Sequence, residues 1–287
     1  VEVDIASEFV HRELPLNDNI LAICIRQSGE TADTKMELRQ ARARGAKIAA
    51  VCNVVGSAIA TEADYVIYTH AGPEISVAST KAFMSQILTL FLMALWLGER
   101  RNIIDNKKIS EVLIDLLRTP DKIRTILESA ELIKSVAEHY KNSHHFMYIG
   151  RNFTWPIALE GALKLKEISY IHAEGYPAGE MKHGTIALID NEMPTIVIAT
   201  NGSVYEKTIS NIQEIKARGG KVIAVVNEDD CIVSDMADFC IFVPKATEYL
   251  TPLLSSIPLQ LFAYYIAVTK GRNVDQPRNL AKSVTVE

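Results

Sequence analysis

The chain has 287 residues, a formal net charge of −5 and 48% hydrophobic residues. This length suffices for one large or two medium-sized domains with a substantial core. A mildly acidic balance without Lys/Arg blocks argues against nucleic acid or an anionic membrane surface as a partner. The four cysteines are widely spaced and form no CxxC pair, which favours buried thiols in a reducing, cytoplasmic setting.

The first strong pattern is an apolar run followed by a polar loop. Residues 20–25, ILAICI, have the composition of a buried strand, and residues 34–44 are helix-forming with a basic end. Between them lies RQSGETADT, residues 26–34. A strand-to-helix turn exposes unpaired amides and the positive end of the helix dipole, so it binds phosphate readily. A simple helix N-cap explains the same residue types, and the spacing alone leaves both interpretations open.

A longer apolar run occupies residues 87–98, ILTLFLMALWLG. Spanning a bilayer takes roughly 20 such residues, so the run predicts a buried helix and no membrane partner. No signal-peptide pattern opens the chain. Residue 1 begins abruptly in strand-like sequence, as if a preceding segment had been removed.

The chain repeats itself. Residues 40–53, QARARGAKIAAVCN, match residues 214–227, EIKARGGKVIAVVN, at an offset of 174. In each copy a helix ends at a glycine and a buried strand follows, flanked by further apolar strands and helices. This alternation predicts an α/β fold with two doubly wound parallel-sheet, flavodoxin-like domains in tandem. We expect a first domain at 1–143, a second at 144–274 and a C-terminal tail at 275–287.

The two copies differ at the polar loop. Opposite SGETADT the second copy has GSVYEKT, which loses most of the hydroxyl groups. We therefore expect a phosphate site in the first domain only.

Three charged residues share one face of a predicted helix in ALEGALKLKEISYIHAEG. Glu160, Lys164 and Glu167 are spaced i, i+4 and i+7. They form either an exposed ion-pair ladder or, because their flanks are apolar, a charged row in a cleft. His183 follows in GEMKHG, and no His/Cys/Asp spacing supports a metal site.

These motifs resemble the isomerase halves of the glutamine–fructose-6-phosphate amidotransferases, or glucosamine-6-phosphate synthases, which are built from two SIS (sugar isomerase) domains. The resemblance rests on QSGETADT, VASTKAF, ALEGALKLKEISYIHAE, GEMKHG and the terminal DQPRNLAKSVTVE. It implies conversion of fructose 6-phosphate and ammonia to glucosamine 6-phosphate without a cofactor, with glucose 6-phosphate as a further ligand. It also implies a homodimer in which the histidine reaches the neighbouring subunit's site. The substrate contacts that it implies are Gln27, Ser28, Thr31, Val77, Ser79 and Ala281.

The resemblance also implies four catalytic roles. Glu167 would move a proton between C1 and C2, and His183 would open the sugar ring. Lys282 would supply an amine for covalent activation, and Lys164 would stabilise developing enolate charge.

The chain departs from the family pattern in two ways. Arg26 replaces the usual serine, and its guanidinium would either pair with the phosphate or fill the site. A preceding strand, a Gly-Thr-Ser loop and the glutaminase domain are not among the 287 residues, so we expect a first domain without its first strand and ammonia supplied from elsewhere. A related double-SIS deaminase and a non-catalytic sugar-phosphate sensor remain the alternatives.

Overall fold

Alternating apolar strands and helices form two separate parallel sheets, as the repeat predicts. The computed structural model describes residues 1–29 and 32–282, without the side chains of residues 32–34. The chain divides into a first unit, Val1–Ile103 with the tail from Arg278, and a second unit, Ile104–Pro277. The α/β class and the tandem arrangement are thereby confirmed.

In its described residues the first unit contains a three-stranded parallel sheet in the order β1-β2-β3. Its central strand β2 is buried over five of six residues because α2 and α3 cover one face of the sheet. The elements are α1 (Ala6–Phe9), β1 (Leu21–Arg26), α2 (Ala32–Ala43), β2 (Lys47–Cys52), α3 (Ala58–Glu62), β3 (Tyr65–Tyr68) and α4 (Lys81–Arg100).

The second unit contains a five-stranded parallel sheet in the order β5-β4-β6-β7-β8. This is the flavodoxin-like order, and its switch point lies between β4 and β6. The helices are α5 (Asn106–Leu117), α6 (Thr119–Glu128), α7 (Ala130–Tyr140), α8 (Trp155–Ser169), α9 (Tyr205–Lys216), α10 (Ile232–Met236) and α11 (Thr251–Thr269). The strands are β4 (His145–Gly150), β5 (His172–Pro177), β6 (Thr195–Ile198), β7 (Val222–Asn227) and β8 (Phe239–Val243).

The internal repeat extends to individual hydrogen bonds. Strands β1–β3 correspond to β6–β8, and an aspartate precedes the last strand of each set. Asp64 accepts a hydrogen bond from the Ile48 amide at 2.8 Å, and Asp238 accepts one from the Val222 amide at 2.8 Å. The same carboxylate brace therefore ties together the same two strands in both units.

The helical segment between the two sheets packs with the second unit. Helices α6 and α7 contact α11 and β8. The division after Ile103 therefore differs from the boundary that we predicted near residue 143. The limits of independently folding domains stay a prediction.

The prediction of a buried helix over residues 87–98 is wrong. Helix α4 is longer than that run, and only Ala82 and Gly98 are buried. Its side chains Leu92 and Trp96 are 41% and 54% exposed, beside an open apolar groove of about 670 Å³ against the first sheet. The matching helix α11 is buried because α7 and α8 pack on it. Ahead of β1 the described residues hold only the short α1, so α4 lacks both of these covering helices.

Two helical segments of the described chain are long and apolar enough to cross a bilayer by length and composition, Lys81–Arg100 and Glu248–Thr269. The second is mostly buried, as expected of a core helix. Core helices of water-soluble domains satisfy the same criterion, so this result is weak evidence for a membrane.

Candidate active site

The predicted phosphate loop lies at the carboxyl end of β1. The Gln27 carbonyl accepts a hydrogen bond from the Asn53 amide at 3.1 Å, and the Gly29 carbonyl accepts one from the Ile59 amide at 3.2 Å. These bonds hold the loop against the residue that follows β2 and against the first turn of α3. Ser28 is half-buried in this loop, four positions ahead of the first residue of α2. This is the place where a parallel sheet binds anions.

Gly29 is required by the shape of this loop. Its φ of +73° lies in the left-handed region, and a Cβ added there would meet the Ser57 hydroxyl oxygen at 2.3 Å. Thr31, the third predicted phosphate contact, lies outside the described residues.

Arg26 is the last residue of β1 and pairs with Cys52 of β2. Burial raises the pKa of Glu37 on α2, and the Arg26 charge opposes this rise. The Arg26 charge therefore acts on α2, and its role toward a phosphate stays a prediction.

The second unit fills the matching loop with its own carboxylate. Glu248 Oε1 accepts hydrogen bonds from the Ser203 amide at 3.1 Å and the Ser203 hydroxyl at 2.6 Å. The same oxygen lies 3.0 Å from the position that a Cβ on Gly202 would take. A carboxylate thus occupies the loop ahead of α9, which supports assigning the phosphate site to the first unit.

The segment ahead of α4 contains two predicted sugar contacts, Val77 and Ser79, both half-buried. The ammonium of Lys282 donates a hydrogen bond to the Ser76 carbonyl, although the two residues are 206 positions apart. The half-exposed Lys282 and its neighbour Ala281 therefore belong to the first unit, next to the predicted sugar contacts.

The three charged residues of α8 form a mostly buried cluster. The Lys164 ammonium lies 2.5 Å from Glu167 Oε2 and 3.4 Å from Glu160 Oε1. The Lys164 side chain is 5% exposed, and those of Glu160 and Glu167 are 13% and 21% exposed. These values exclude the exposed ion-pair ladder that the spacing left open.

Glu160 is the unusual member of this cluster. Burial raises its pKa from the ordinary 4.5 to about 7, although Lys164 opposes the rise. Its Oε1 is buried and faces the Lys164 ammonium at 3.4 Å, a longer contact than the 2.5 Å hydrogen bond that Lys164 donates to Glu167. The cluster therefore holds two carboxylates on one ammonium, a close one at Glu167 and a more distant one at Glu160 whose pKa is raised to about 7.

His183 lies at the end of a short 3₁₀ turn, Met181–His183, and its side chain is exposed. Its amide donates to the Glu180 carbonyl at 3.0 Å. Gly184 follows with a φ of +157°. An exposed imidazole beside a glycine is accessible to a ligand or to another chain.

The structure therefore groups the predicted residues within each unit. In the first unit Lys282 contacts the loop that carries Val77 and Ser79, and in the second Lys164 joins Glu167. Sequence reasoning missed Glu74, whose carboxylate binds the N-terminus of α4, because no local pattern marks a cap six to eight residues away. Among the described residues no group of His, Cys, Asp and Glu side chains is arranged to hold a metal ion.

Comparison with known proteins identifies the family. The SIS domain model matches residues 1–96 and 139–270, which is most of the chain. This chain belongs to the SIS domain family. The two matched segments contain the two parallel sheets, so each unit contains an SIS domain.

One solved SIS structure similar to this chain is described as the C-terminal domain of glucosamine-fructose-6-phosphate aminotransferase from Francisella tularensis. It shares 38% identity at a TM-score of 0.91, covering 96% of this chain and 78% of that one. A glucosamine-6-phosphate deaminase from Thermotoga maritima, at 21% identity and a TM-score of 0.75, shows similarity of fold alone.

A curated relative from Bacteroides thetaiotaomicron, named glutamine--fructose-6-phosphate aminotransferase [isomerizing], is 52% identical over all 287 residues. The match covers 47% of that relative, so this pair of SIS domains spans about half the length of the curated relatives.

Proposed function

We propose that this chain is the sugar-phosphate isomerase part of a glutamine–fructose-6-phosphate aminotransferase. The match that carries the proposal is the alignment of all 287 residues, at about half identity, with relatives of that name. The proposed reaction converts fructose 6-phosphate and ammonia to glucosamine 6-phosphate and water, as a step of hexosamine biosynthesis. Ammonia would come from a glutaminase domain outside residues 1–287.

Phosphate recognition belongs to the first unit in this proposal. The Gln27–Gly29 loop and the start of α2 would hold the 6-phosphate, with Thr31 as a further hydroxyl donor. Val77, Ser79 and Ala281 would line the sugar.

The chemistry begins with the open-chain sugar. His183 would move the proton that ring opening requires, which exposes the C2 carbonyl. The Lys282 amine would then attack C2, and water leaves as the imine forms. Ammonia would displace the lysine from C2, returning the Lys282 amine to its free form.

Proton transfer completes the reaction. Glu167 would remove a proton from C1 and return one to C2, which leaves an aldehyde at C1 and an amine at C2. The Lys164 ammonium, held at 2.5 Å from Glu167, supplies positive charge against the developing enolate-type oxygen. We also propose a cytoplasmic homodimer in which His183 serves the partner chain's substrate.

The test measures formation of glucose 6-phosphate from fructose 6-phosphate, and of glucosamine 6-phosphate when ammonia is added. Glu167→Gln should reduce either rate by about 10²- to 10⁴-fold. The control is Glu131→Gln on α7, where the glutamate side chain is 84% exposed, and it should leave both rates unchanged. Full activity of Glu167→Gln contradicts the assigned role, and a chain that only releases ammonia from glucosamine 6-phosphate indicates the deaminase alternative.

Two further measurements separate the remaining parts of the proposal. Fructose 6-phosphate should shift the amide resonances of Gln27 to Gly29 far more than unphosphorylated fructose does, and equal shifts contradict the phosphate site. Mixing His183→Ala with Glu167→Ala chains should restore activity in heterodimers. Heterodimers without activity place both residues in one subunit's site.

A further inference from the structure

The carboxylate of Glu74 binds both the beginning of α4 and the loop ahead of it. Its Oε2 accepts hydrogen bonds from the amides of Thr80 at 3.2 Å and Ala82 at 2.8 Å, and from the Ser79 hydroxyl at 3.5 Å. Its Oε1 accepts one from the Thr80 hydroxyl at 3.4 Å. Amides in the first turn of a helix have no partner within the helix, so this carboxylate satisfies two of them at the positive end of the dipole.

These contacts close residues 75–79 into a hydrogen-bonded loop. Within the loop the Ser76 carbonyl accepts the hydrogen bond from the Lys282 ammonium. Val77 and Ser79 lie in the same loop. One side chain thus fixes the segment that carries two sugar contacts and the anchor of the proposed imine-forming lysine.

We propose that Glu74 is a positioning residue, which holds residues 75–80 so that the sugar contacts and Lys282 are presented to the substrate together. The roles of Val77, Ser79 and Lys282 in this inference rest on the proposed function. Glu74 itself acts through the loop and does not touch the reacting atoms.

If Glu74 only stabilised the N-terminus of α4, its loss would have a different effect from the loss of a positioning residue. Losing an N-cap carboxylate destabilises the start of the helix and disturbs only the adjacent helix turn. A positioning residue also controls groups far away in sequence, here the tail residue Lys282. Displacing reacting groups by about 1 Å lowers a rate by roughly 10²-fold.

The experiment compares Glu74→Ala and Glu74→Gln with the control Asp105→Ala. Asp105 caps α5 in the second unit by accepting from the Lys108 amide at 2.7 Å, so the control removes a carboxylate cap from a helix that carries no predicted site residue. Hydrogen exchange followed by mass spectrometry measures the amide exchange rates of two peptides, one containing residues 74–82 and one containing Lys282. Steady-state kinetics with fructose 6-phosphate measures kcat and KM separately.

We expect Glu74→Ala to speed exchange in both peptides and to lower kcat/KM by roughly 10- to 100-fold. Glu74→Gln keeps one acceptor oxygen and should recover part of both losses. Asp105→Ala should speed exchange only around α5, with unchanged kinetics.

Two results overturn the inference. The first is that Glu74→Ala speeds amide exchange at the start of α4 and leaves the exchange rate near Lys282 unchanged. The second is that kcat and KM of Glu74→Ala match those of the parent chain. A parent chain that does not react with fructose 6-phosphate contradicts the proposed function instead, and the exchange measurement then decides alone whether Glu74 holds the tail.

Discussion

Replacing Glu160 with glutamine should stabilise the chain at pH 8 and change its stability little at pH 5. The Glu160 side chain is 13% exposed, and burial raises the pKa of its carboxyl group from 4.5 to about 7. Between pH 4.5 and about pH 7, the carboxyl group of Glu160 binds more protons in the native state than in the unfolded state. Native stability therefore falls as pH rises through this window.

The magnitude follows from the same two values. One pKa unit corresponds to about 1.4 kcal/mol, so ionising Glu160 in the folded chain costs up to about 3 kcal/mol by pH 8. Glutamine keeps the shape without the charge. Lys164 retains its ion pair with Glu167 at 2.5 Å, so the substitution leaves no unpaired ammonium.

Urea unfolding of the parent chain and Glu160→Gln at pH 5, 6, 7 and 8 measures the difference. The advantage of the variant should grow with pH and level off above pH 7. Glu131→Gln, at an exposed carboxylate, should show no such trend. A variant that is equally or less stable than the parent at pH 8 refutes the reasoning, because Glu160 would then be a stabilising partner of Lys164.

Two further predictions concern the first sheet and the braces between strands. Gly29→Ala should destabilise the chain by more than Gly56→Ala does. Both glycines have φ near +74°, but of the two only Gly29 faces the Ser57 hydroxyl, so an added Cβ clashes there alone. Thermal melting of both variants measures the difference, and equal losses of stability contradict the steric argument. Asp238→Asn should cost about 1–3 kcal/mol at pH 7, because hydrogen bonds from Lys216 and the Val222 amide outweigh burial and lower the pKa of Asp238. This loss should shrink as pH falls below the ordinary Asp value of 3.8, and a loss independent of pH in urea unfolding contradicts the charged role.

Much of the fold could be predicted because the local signals agree with the tertiary structure. The run at residues 20–25 became β1 at Leu21–Arg26, and the repeat predicted matching strands in the second unit. Apolar strands between amphipathic helices admit few arrangements other than parallel sheets.

The burial of α4 could not be predicted, because it depends on partners rather than on composition. Helices α4 and α11 are both strongly apolar, yet only α11 has two helices packed on it. Hydropathy measures a tendency to be buried, and it carries no information on whether a covering helix exists.

Sequence patterns predicted which charged side chains share a helix face, and they did not predict the contacts between distant residues. The spacing placed Lys164 and Glu167 on one face of α8, which the structure confirms by their 2.5 Å contact. The contact between Lys282 and Ser76 spans 206 residues, and Glu74 reaches α4 across a loop. Neither contact follows a helical or strand period, so sequence patterns contain no signal for it.

The carboxylate of Glu248 has a consequence for how the two units respond to ligand. It accepts hydrogen bonds from the loop ahead of α9 without any ligand, while the proposed phosphate would bind the matching loop ahead of α2 only when sugar phosphate is present. A ligand stabilises the state that binds it in proportion to the logarithm of its concentration. The first unit should therefore gain resistance to unfolding as sugar phosphate accumulates, and the second should not. Under the proposed function, the duplicated fold therefore has one loop that a ligand closes and one loop that its own carboxylate closes.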